Sequence, residues 1–285
     1  MTTTTTTLLD DIPPGAYVPA ARAHPVAEPS APPPGDAVGA VEHVLASAGA
    51  ARGRMAWARA DTLAREAAEL ARRLRLPGLL GAALNESAAA RIYAGLLDDA
   101  ETAARNALAG DAAEHGRAEV NLGIVAALRG DTDEALARFA AAEAAAHANG
   151  DEWTLLLVQA NRAVAQVARN ELAAAQESAE AALKTGRRAR DDHRAALGGL
   201  TLACVHHARG VRNEARTRLA EAVRAFTRAG DRLRMVQCHF MLGEIAYEAE
   251  DPIRAGSHYR DGLAVAREAG AAELVELLSL RFEHR

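Results

Sequence analysis

Apolar and polar residues follow a helical period over most of this 285-residue chain. From about residue 36, alanine and leucine recur three and four positions apart with arginine and glutamate between them, the pattern of amphipathic helices. Glycine, asparagine or aspartate interrupts the pattern every 15–20 residues. These residue types end one helix and cap the next. The sequence therefore predicts helices joined by short turns.

The helical pattern repeats with a period of 40 residues. A small residue recurs at one position in each predicted first helix and at one position in each second helix. These residues are Gly123, Ala163, Ala203 and Gly243, and Ala135, Ala175, Ala215 and Ala255. Antiparallel helices that cross at about 8–10 Å need small residues at the crossing. We expect Phe139 to fill the space toward the next hairpin, and the turn at Glu250, which lacks glycine, to be less sharp.

These recurring positions resemble the tetratricopeptide repeat family, in its longer-helix form. The matching residues are Leu122, Gly123, Gly130, Ala135, Phe139 and Ala142 in one unit, and Leu242, Gly243, Ala255 and Tyr259 in another. The family's usual late proline is missing. The resemblance implies an all-α, right-handed superhelical solenoid of antiparallel helix pairs, with about five to six repeats and a capping helix. Such proteins are adaptors or sensory arms of bacterial regulators.

Four regions follow from this pattern: a Thr/Pro-rich arm (1–35), irregular helical hairpins (36–110), four regular repeats (111–270) and a capping helix with a tail (271–285). The arm holds six consecutive threonines and eight of the ten prolines, which predicts disorder without packed structure. An alternative is that its apolar cluster docks into the protein's own groove or into a partner. That cluster is Leu8, Leu9, Ile12, Tyr17 and Val18.

Stacked hairpins form a superhelix whose concave side is lined by first helices. On that side we predict a mostly apolar stripe suited to an extended peptide or an amphipathic helix. The predicted partner-binding residues are Arg117, Val120, Asn121, Ile124, Leu157, Asn161, Val164, Leu200, Cys204 and His207, with Ala160, Leu197 and Thr201 between them.

Asn121 and Asn161 are one repeat apart, each two residues before a crossing residue. An asparagine amide both donates and accepts hydrogen bonds, so a ladder of asparagines could hold a peptide backbone. The family resemblance implies the same use. The alternatives are that each asparagine bonds its own neighbour, or that Arg117 and Asn121 form half of a clamp for a terminal carboxylate.

Other chemistry finds little support in the sequence. Cys204, His206, His207, Cys238 and His239 lack the spacing of zinc ligands and are better explained as core or groove residues. No motif for a catalytic nucleophile, a phosphate loop or a metalloprotease is present. We therefore predict a protein that is not an enzyme and has no cofactor or metal. Trp153 is expected either to pack between hairpins or to anchor a partner.

The net charge and the composition of the chain indicate which kinds of partner it can bind. The net charge of −5 disfavours nucleic-acid binding, and no apolar run reaches the roughly 18 residues of a membrane span. The amino terminus lacks a secretory pattern, and the two cysteines form no disulfide framework, so we expect a cytoplasmic location. The sequence predicts an adaptor for a protein or peptide partner. A ligand-sensing regulator acting on a separate effector, and self-association through the ends of the stack, stay open.

Overall fold

The computed structural model of the chain describes residues 17–21, 29–32, 35–271, 274–276 and 279. These residues form α-helices and one short 3₁₀-helix, and none of them lies in a β-strand. The helices are α1 (Ala37–Gly53), α2 (Trp57–Arg73), α3 (Pro77–Tyr93), α4 (Leu97–Leu108), α5 (His115–Leu128), α6 (Thr132–Asn149), α7 (Glu152–Ala168), α8 (Leu172–Arg188), α9 (Asp192–Ala208), α10 (Arg212–Ala229), α11 (Arg232–Glu248) and α12 (Pro252–Glu268). The predicted all-α fold is confirmed. Among the described helices, none has the length and hydropathy needed to cross a membrane.

The described residues form two compact units, one within residues 18–158 and the other made of Tyr17 and the described part of residues 159–279. In the first unit, α1 to α6 each pack against the next helix along the chain, and α3 also contacts α1 and α5. In the second unit, α8 to α12 pack in the same consecutive order. The carboxyl-terminal half of α7 packs on α8 through Ala163 and Ala179. Packing of each helix pair on its neighbours is the arrangement of a helical-repeat solenoid.

Most turns between helices contain one residue with a left-handed backbone. From Gly130 to Gly270 such a residue recurs every 20 positions. In the turn after α5, the N–H of Gly130 donates to the carbonyl of Ala127 at 3.0 Å, and the N–H of Asp131 donates to that of Ala126 at 2.9 Å. This pair of bonds satisfies carbonyls at the helix end.

Five of the left-handed positions do not hold glycine. They are Met55, Arg75, Asn170, Arg190 and Glu250. The expectation of a less sharp turn at Glu250 is wrong, because Glu250 has a φ of 59° and Asp251 donates to the carbonyl of Ala246 at 3.0 Å. The repeat packing therefore imposes the same turn on residues that do not favour it.

The step of 35 residues between Gly95 and Gly130 has a structural cause. Helix α4 has 12 residues, whereas α3 has 17. A 3₁₀-helix at Ala112–Glu114 then leads directly into α5. The hairpin formed by α3 and α4 is therefore shorter than the others, and the 40-residue spacing of the repeats begins again after it.

Close helix crossings occur at the predicted small residues. A Cβ atom on Gly123 would lie 2.6 Å from Cε1 of Phe139 and 3.2 Å from the carbonyl oxygen of Ala135. Gly243 is in the same relation to Tyr259. Phe139 thus packs on the first helix of its own hairpin, and the expectation that it also fills the space toward the next hairpin stays a prediction.

Part of the amino-terminal arm is packed. Tyr17, Val18, Ala20 and Ala21 are buried, so for residues 17–21 the expectation of disorder does not hold. The cluster members Leu8, Leu9 and Ile12 lie outside the described residues, as do 22–28 and 33–34. Of the predicted capping helix, residues 274–276 are helical, and 272–273, 277–278 and 280–285 lie outside the described residues.

Candidate peptide-binding surface

The predicted partner-binding residues lie on first helices, namely α5, α7 and α9. Arg117 is half-buried. The other nine are buried: Val120, Asn121, Ile124, Leu157, Asn161, Val164, Leu200, Cys204 and His207. The side chains expected to face a partner are therefore covered in this structure. Part of that cover comes from residues 17–21, which we call the arm segment.

The side-chain amide of Asn121 on α5 makes two hydrogen bonds to the backbone of Ala20, one as donor and one as acceptor. The Nδ2 atom of Asn121 donates to the carbonyl of Ala20 at 2.9 Å, and the N–H of Ala20 donates to Oδ1 of Asn121 at 2.8 Å. Asn121 and Ala20 are both fully buried. The amide thus replaces the pairing that a neighbouring β-strand would give to one residue of an extended chain.

The clamped residue contributes its backbone and only a methyl group. Neither hydrogen bond depends on the side chain of residue 20, so this contact recognises the extended conformation rather than a particular residue. A small residue is nevertheless required, because Ala20 is fully buried and Ala21 is 2% exposed. Asn121 also lies 3.5 Å from the carbonyl of Asn85 on α3, which ties the amide to the adjacent first helix.

Trp153 makes the next contact along the arm segment. Its indole Nε1 donates to the carbonyl of Ala21 at 2.9 Å. Trp153 is near the start of α7 and is half-buried. Asn121 and Trp153, which we call the backbone clamp, thus bind two consecutive residues of the arm segment.

In the unit that includes residues 159–285, Arg234 on α11 contacts the other end of the arm segment. Its two terminal nitrogens lie 3.5 and 3.4 Å from the carbonyl oxygen of Tyr17. Arg234 is 2% exposed, and it also donates to Oε1 of Gln237 at 2.5 Å. A buried guanidinium needs such acceptors, because an unsatisfied buried charge is costly.

Arg234 and Gln237 were not among the predicted residues. Gln237 belongs to the 40-residue register of the predicted stripe, since it occupies the position of Leu157 and Leu197, whereas Arg234 corresponds to Thr154 and Arg194, which lie outside the stripe. The sequence marks Gln237 by a change from leucine to glutamine at a first-helix position of the last repeat.

Buried charged groups connect the first helices in the unit of residues 18–158. Arg52 on α1 pairs with Glu86 on α3 at 2.6 Å. Arg117 pairs with Glu114 and with Asp151, both at 2.8 Å. Burial alone would raise the pKa of Asp151, but hydrogen bonds from Thr154 and the charge of Arg117 outweigh burial and lower it.

These contacts bear on the carboxylate-clamp alternative. The guanidinium of Arg117 is already paired with two acidic side chains, and the amide of Asn121 is paired with Ala20. The two proposed members of the clamp are therefore both engaged within the protein.

The cysteines predicted to be core or groove residues are buried and free. Burial raises the pKa of the Cys204 thiol to about 12 and that of Cys238 well above its usual value. Both thiols are shielded from water, as expected of core residues. Of the histidines considered with them, His239 has its closest ligand-type neighbours on α12 rather than among the cysteines.

No protein-family model and no curated protein matches this chain. Among solved structures, the chain is similar to BtubC from P. vanneervenii, with 20% identity, a TM-score of 0.54, and coverage of 81% of this chain and 92% of that one. It is also similar to a signal-transduction ATPase with a tetratricopeptide repeat sensor from Pyrococcus horikoshii. That match has 16% identity and a TM-score of 0.51, and covers 86% of this chain but only 40% of the ATPase. At these identities the likeness supports a tetratricopeptide-like helical-repeat fold and nothing beyond it.

Proposed function

We propose that this protein is a non-catalytic interaction module that binds an extended segment of a partner protein through the segment's backbone. The arm segment occupies the binding position when no partner is present. The observation that carries this proposal is the two-way hydrogen bonding between Asn121 and Ala20. The fold supports it as well, because helical repeats present long surfaces formed by successive first helices.

The occupant seen in the structure indicates the chemistry of the partner. The backbone clamp bonds two consecutive peptide units, and small side chains, Ala20 and Ala21, fit beside it. We therefore expect a partner segment that is extended and has small residues at the two clamped positions. Asn161, one repeat after Asn121 in the sequence, is fully buried in the other unit.

The arm segment is a competitor because it is part of the same chain. A tethered segment has an effective concentration on the order of millimolar, so even weak intrinsic affinity keeps its site occupied. A partner segment must therefore bind the clamp tightly enough to displace the tethered arm segment. Removing the competition should therefore expose an affinity for peptides that the native protein conceals.

A peptide-binding assay on full-length variants tests the proposal. The probe is a fluorescent peptide with the sequence of residues 14–24, PGAYVPAARAH. Ala20→Glu places a carboxylate at a fully buried position and should displace the arm segment. Ala31→Glu, the control, makes the same change at an exposed position of the arm.

We expect Ala20→Glu to bind the probe at least about tenfold more tightly than the native protein or Ala31→Glu, as loss of a tethered competitor predicts. Adding Asn121→Ala to Ala20→Glu should remove this gain. If the folded Ala20→Glu protein, checked by circular dichroism, binds the peptide no better than the control, the proposal fails.

A second candidate function is sensing. Binding of a partner at the backbone clamp would release the arm segment, and a released arm could act on a separate effector protein. The observation in favour is that Asn121 and Trp153 both contact the arm segment. A protein that binds Ala20→Glu but not Ala31→Glu, and that still binds when Asn121→Ala is added, recognises the released arm, whereas a partner of the clamp loses its binding when Asn121→Ala is added.

A further inference from the structure

The last hairpin brings together three side chains that can bind a metal ion. His239 lies on α11, and His258 and Asp261 lie on α12. One potential ligand atom from each of the three lies within 4.8 Å of those of the other two. The residues are 19 and 22 positions apart in sequence, so no local motif marks the cluster.

Helix packing explains why these residues converge. A Cβ atom on Gly262 would lie 3.0 Å from the ring of Phe240 and 3.4 Å from Cβ of His239. The absence of a side chain at Gly262 thus lets α12 approach α11 at His239. His258 and Asp261 are three residues apart on α12 and therefore share one face of that helix.

The imidazoles of the cluster have unused nitrogen atoms. The Nδ1 atoms of His239 and His258 are buried and make no hydrogen bond to any described residue. The Oδ2 atom of Asp261 is 3.9 Å from Nδ1 of His239, too far for a hydrogen bond. Buried polar atoms without partners are costly, and coordination of a metal ion through Nδ1 would give these atoms a partner.

We propose that His239, His258 and Asp261 form a binding site for a divalent first-row transition-metal ion, with zinc as the expected occupant. Two imidazoles and a carboxylate are a ligand set that zinc accepts, with a remaining position for water. Calcium and magnesium prefer oxygen ligands alone, so they do not suit this set. The ligand atoms must close by about an ångström to reach zinc–nitrogen distances of about 2.0–2.1 Å.

The surroundings favour this assignment. Asp261 supplies negative charge and is exposed, which gives the ion a route from solvent. Arg254 is the nearby opposing cation, but it pairs with Asp251 at 3.5 Å. A bound ion would fasten α11 to α12.

Titration of the full-length, chelator-treated protein tests the site. Isothermal titration with Zn²⁺ should give one ion per chain with micromolar or tighter affinity, and Zn²⁺ should raise the Tm. Co²⁺ should bind with the visible absorption of a nitrogen- and oxygen-ligated ion. Millimolar Mg²⁺ or Ca²⁺ should neither bind nor compete.

Variants locate the site. His239→Gln, His258→Gln and Asp261→Asn should each weaken Zn²⁺ binding at least about tenfold and abolish the rise in Tm. His206→Gln, a half-buried histidine on α9, is the matched control and should bind like the native protein. Asp261 is exposed, so its variant keeps the fold even if a histidine variant does not.

Two outcomes would overturn the site. One is a native protein that does not bind Zn²⁺ with a Kd below about 0.1 mM. The other is binding that Asp261→Asn and the folded histidine variants leave unchanged, which would place the ion elsewhere. Competition by Mg²⁺ would overturn the assignment of a nitrogen-ligated metal.

Discussion

Asn121 and Ala20, which are 101 positions apart in the sequence, share two hydrogen bonds that saturate the backbone of residue 20. Both residues are fully buried. The pair therefore links the stability of α5 to the position of the arm segment. A substitution that displaces the arm segment should therefore also lower the stability of the packing around α5, and a substitution in α5 at Asn121 should release the arm segment.

The first prediction concerns the amide of Asn121. Asn121→Ala leaves the N–H and C=O of Ala20 without their partner, and should lower the free energy of unfolding by roughly 2–4 kcal/mol. Asn106→Ala, at an exposed position of α4, should change it by less than about 0.5 kcal/mol. Urea denaturation measures both. Equal values for the two variants would contradict a structural role for the clamp.

The second prediction uses two adjacent glycines in α9. A Cβ on Gly198 would lie 2.5 Å from the backbone of Leu183, whereas a Cβ on Gly199 would meet nothing within 4 Å. Gly198→Ala should therefore destabilise the protein by about 1–3 kcal/mol. Gly199→Ala should stabilise it by up to about 1 kcal/mol, because alanine favours a helix. Thermal and urea unfolding should show shifts of opposite sign, and shifts of the same sign would refute the close crossing.

The repeat spacing was enough to predict the crossings and most of the turns, but not the sharp turn at Glu250. Gly123 and Gly243 recur at one register because each hairpin needs a small residue at the same point. Asn170 and Glu250 take the left-handed conformation of glycine because the packing on both sides fixes where the helix ends. These features depend on local, periodic requirements, and such requirements are visible in a single sequence.

The occupant of the binding surface could not be predicted in the same way. The composition of the arm indicates disorder, since threonine and proline contribute little packing of their own. Ala20 is ordered because Asn121, in a distant helix, provides its hydrogen bonds. The contact between His239 and His258 likewise depends on how closely α11 approaches α12, which the sequence separation does not reveal.

The third prediction tests the strain at the non-glycine turns. Arg190 is exposed and has a φ of 53°, a conformation that costs a side-chain-bearing residue about 1–2 kcal/mol. Arg190→Gly relieves this cost, offset by about 0.5–1 kcal/mol of backbone entropy. We expect a net stabilisation of roughly 0.5–1 kcal/mol.

The matched control for Arg190→Gly is Arg216→Gly, at an exposed position inside α10. There the same substitution should destabilise the protein by about 1 kcal/mol, because glycine is a poor helix former. Differential scanning calorimetry should show a higher Tm for the first variant and a lower Tm for the second. A lower Tm for both would show that the turn at Arg190 is not strained.

The last prediction concerns pH and Asp151. Its pKa in the folded protein is lowered from 3.8, so the unfolded chain takes up a proton at this residue more readily than the folded one. The stabilisation from the charged form is present above about pH 4 and is lost as the pH falls through the lowered value. The difference in unfolding free energy between the native protein and Asp151→Asn should therefore shrink as the pH falls from about 6 to about 3. Asp99→Asn, at an exposed position, is the control and should change the free energy of unfolding at about pH 6 by less than about 0.5 kcal/mol. A difference for Asp151→Asn that stays constant over this range would mean that Arg117 and Thr154 do not favour its charged form.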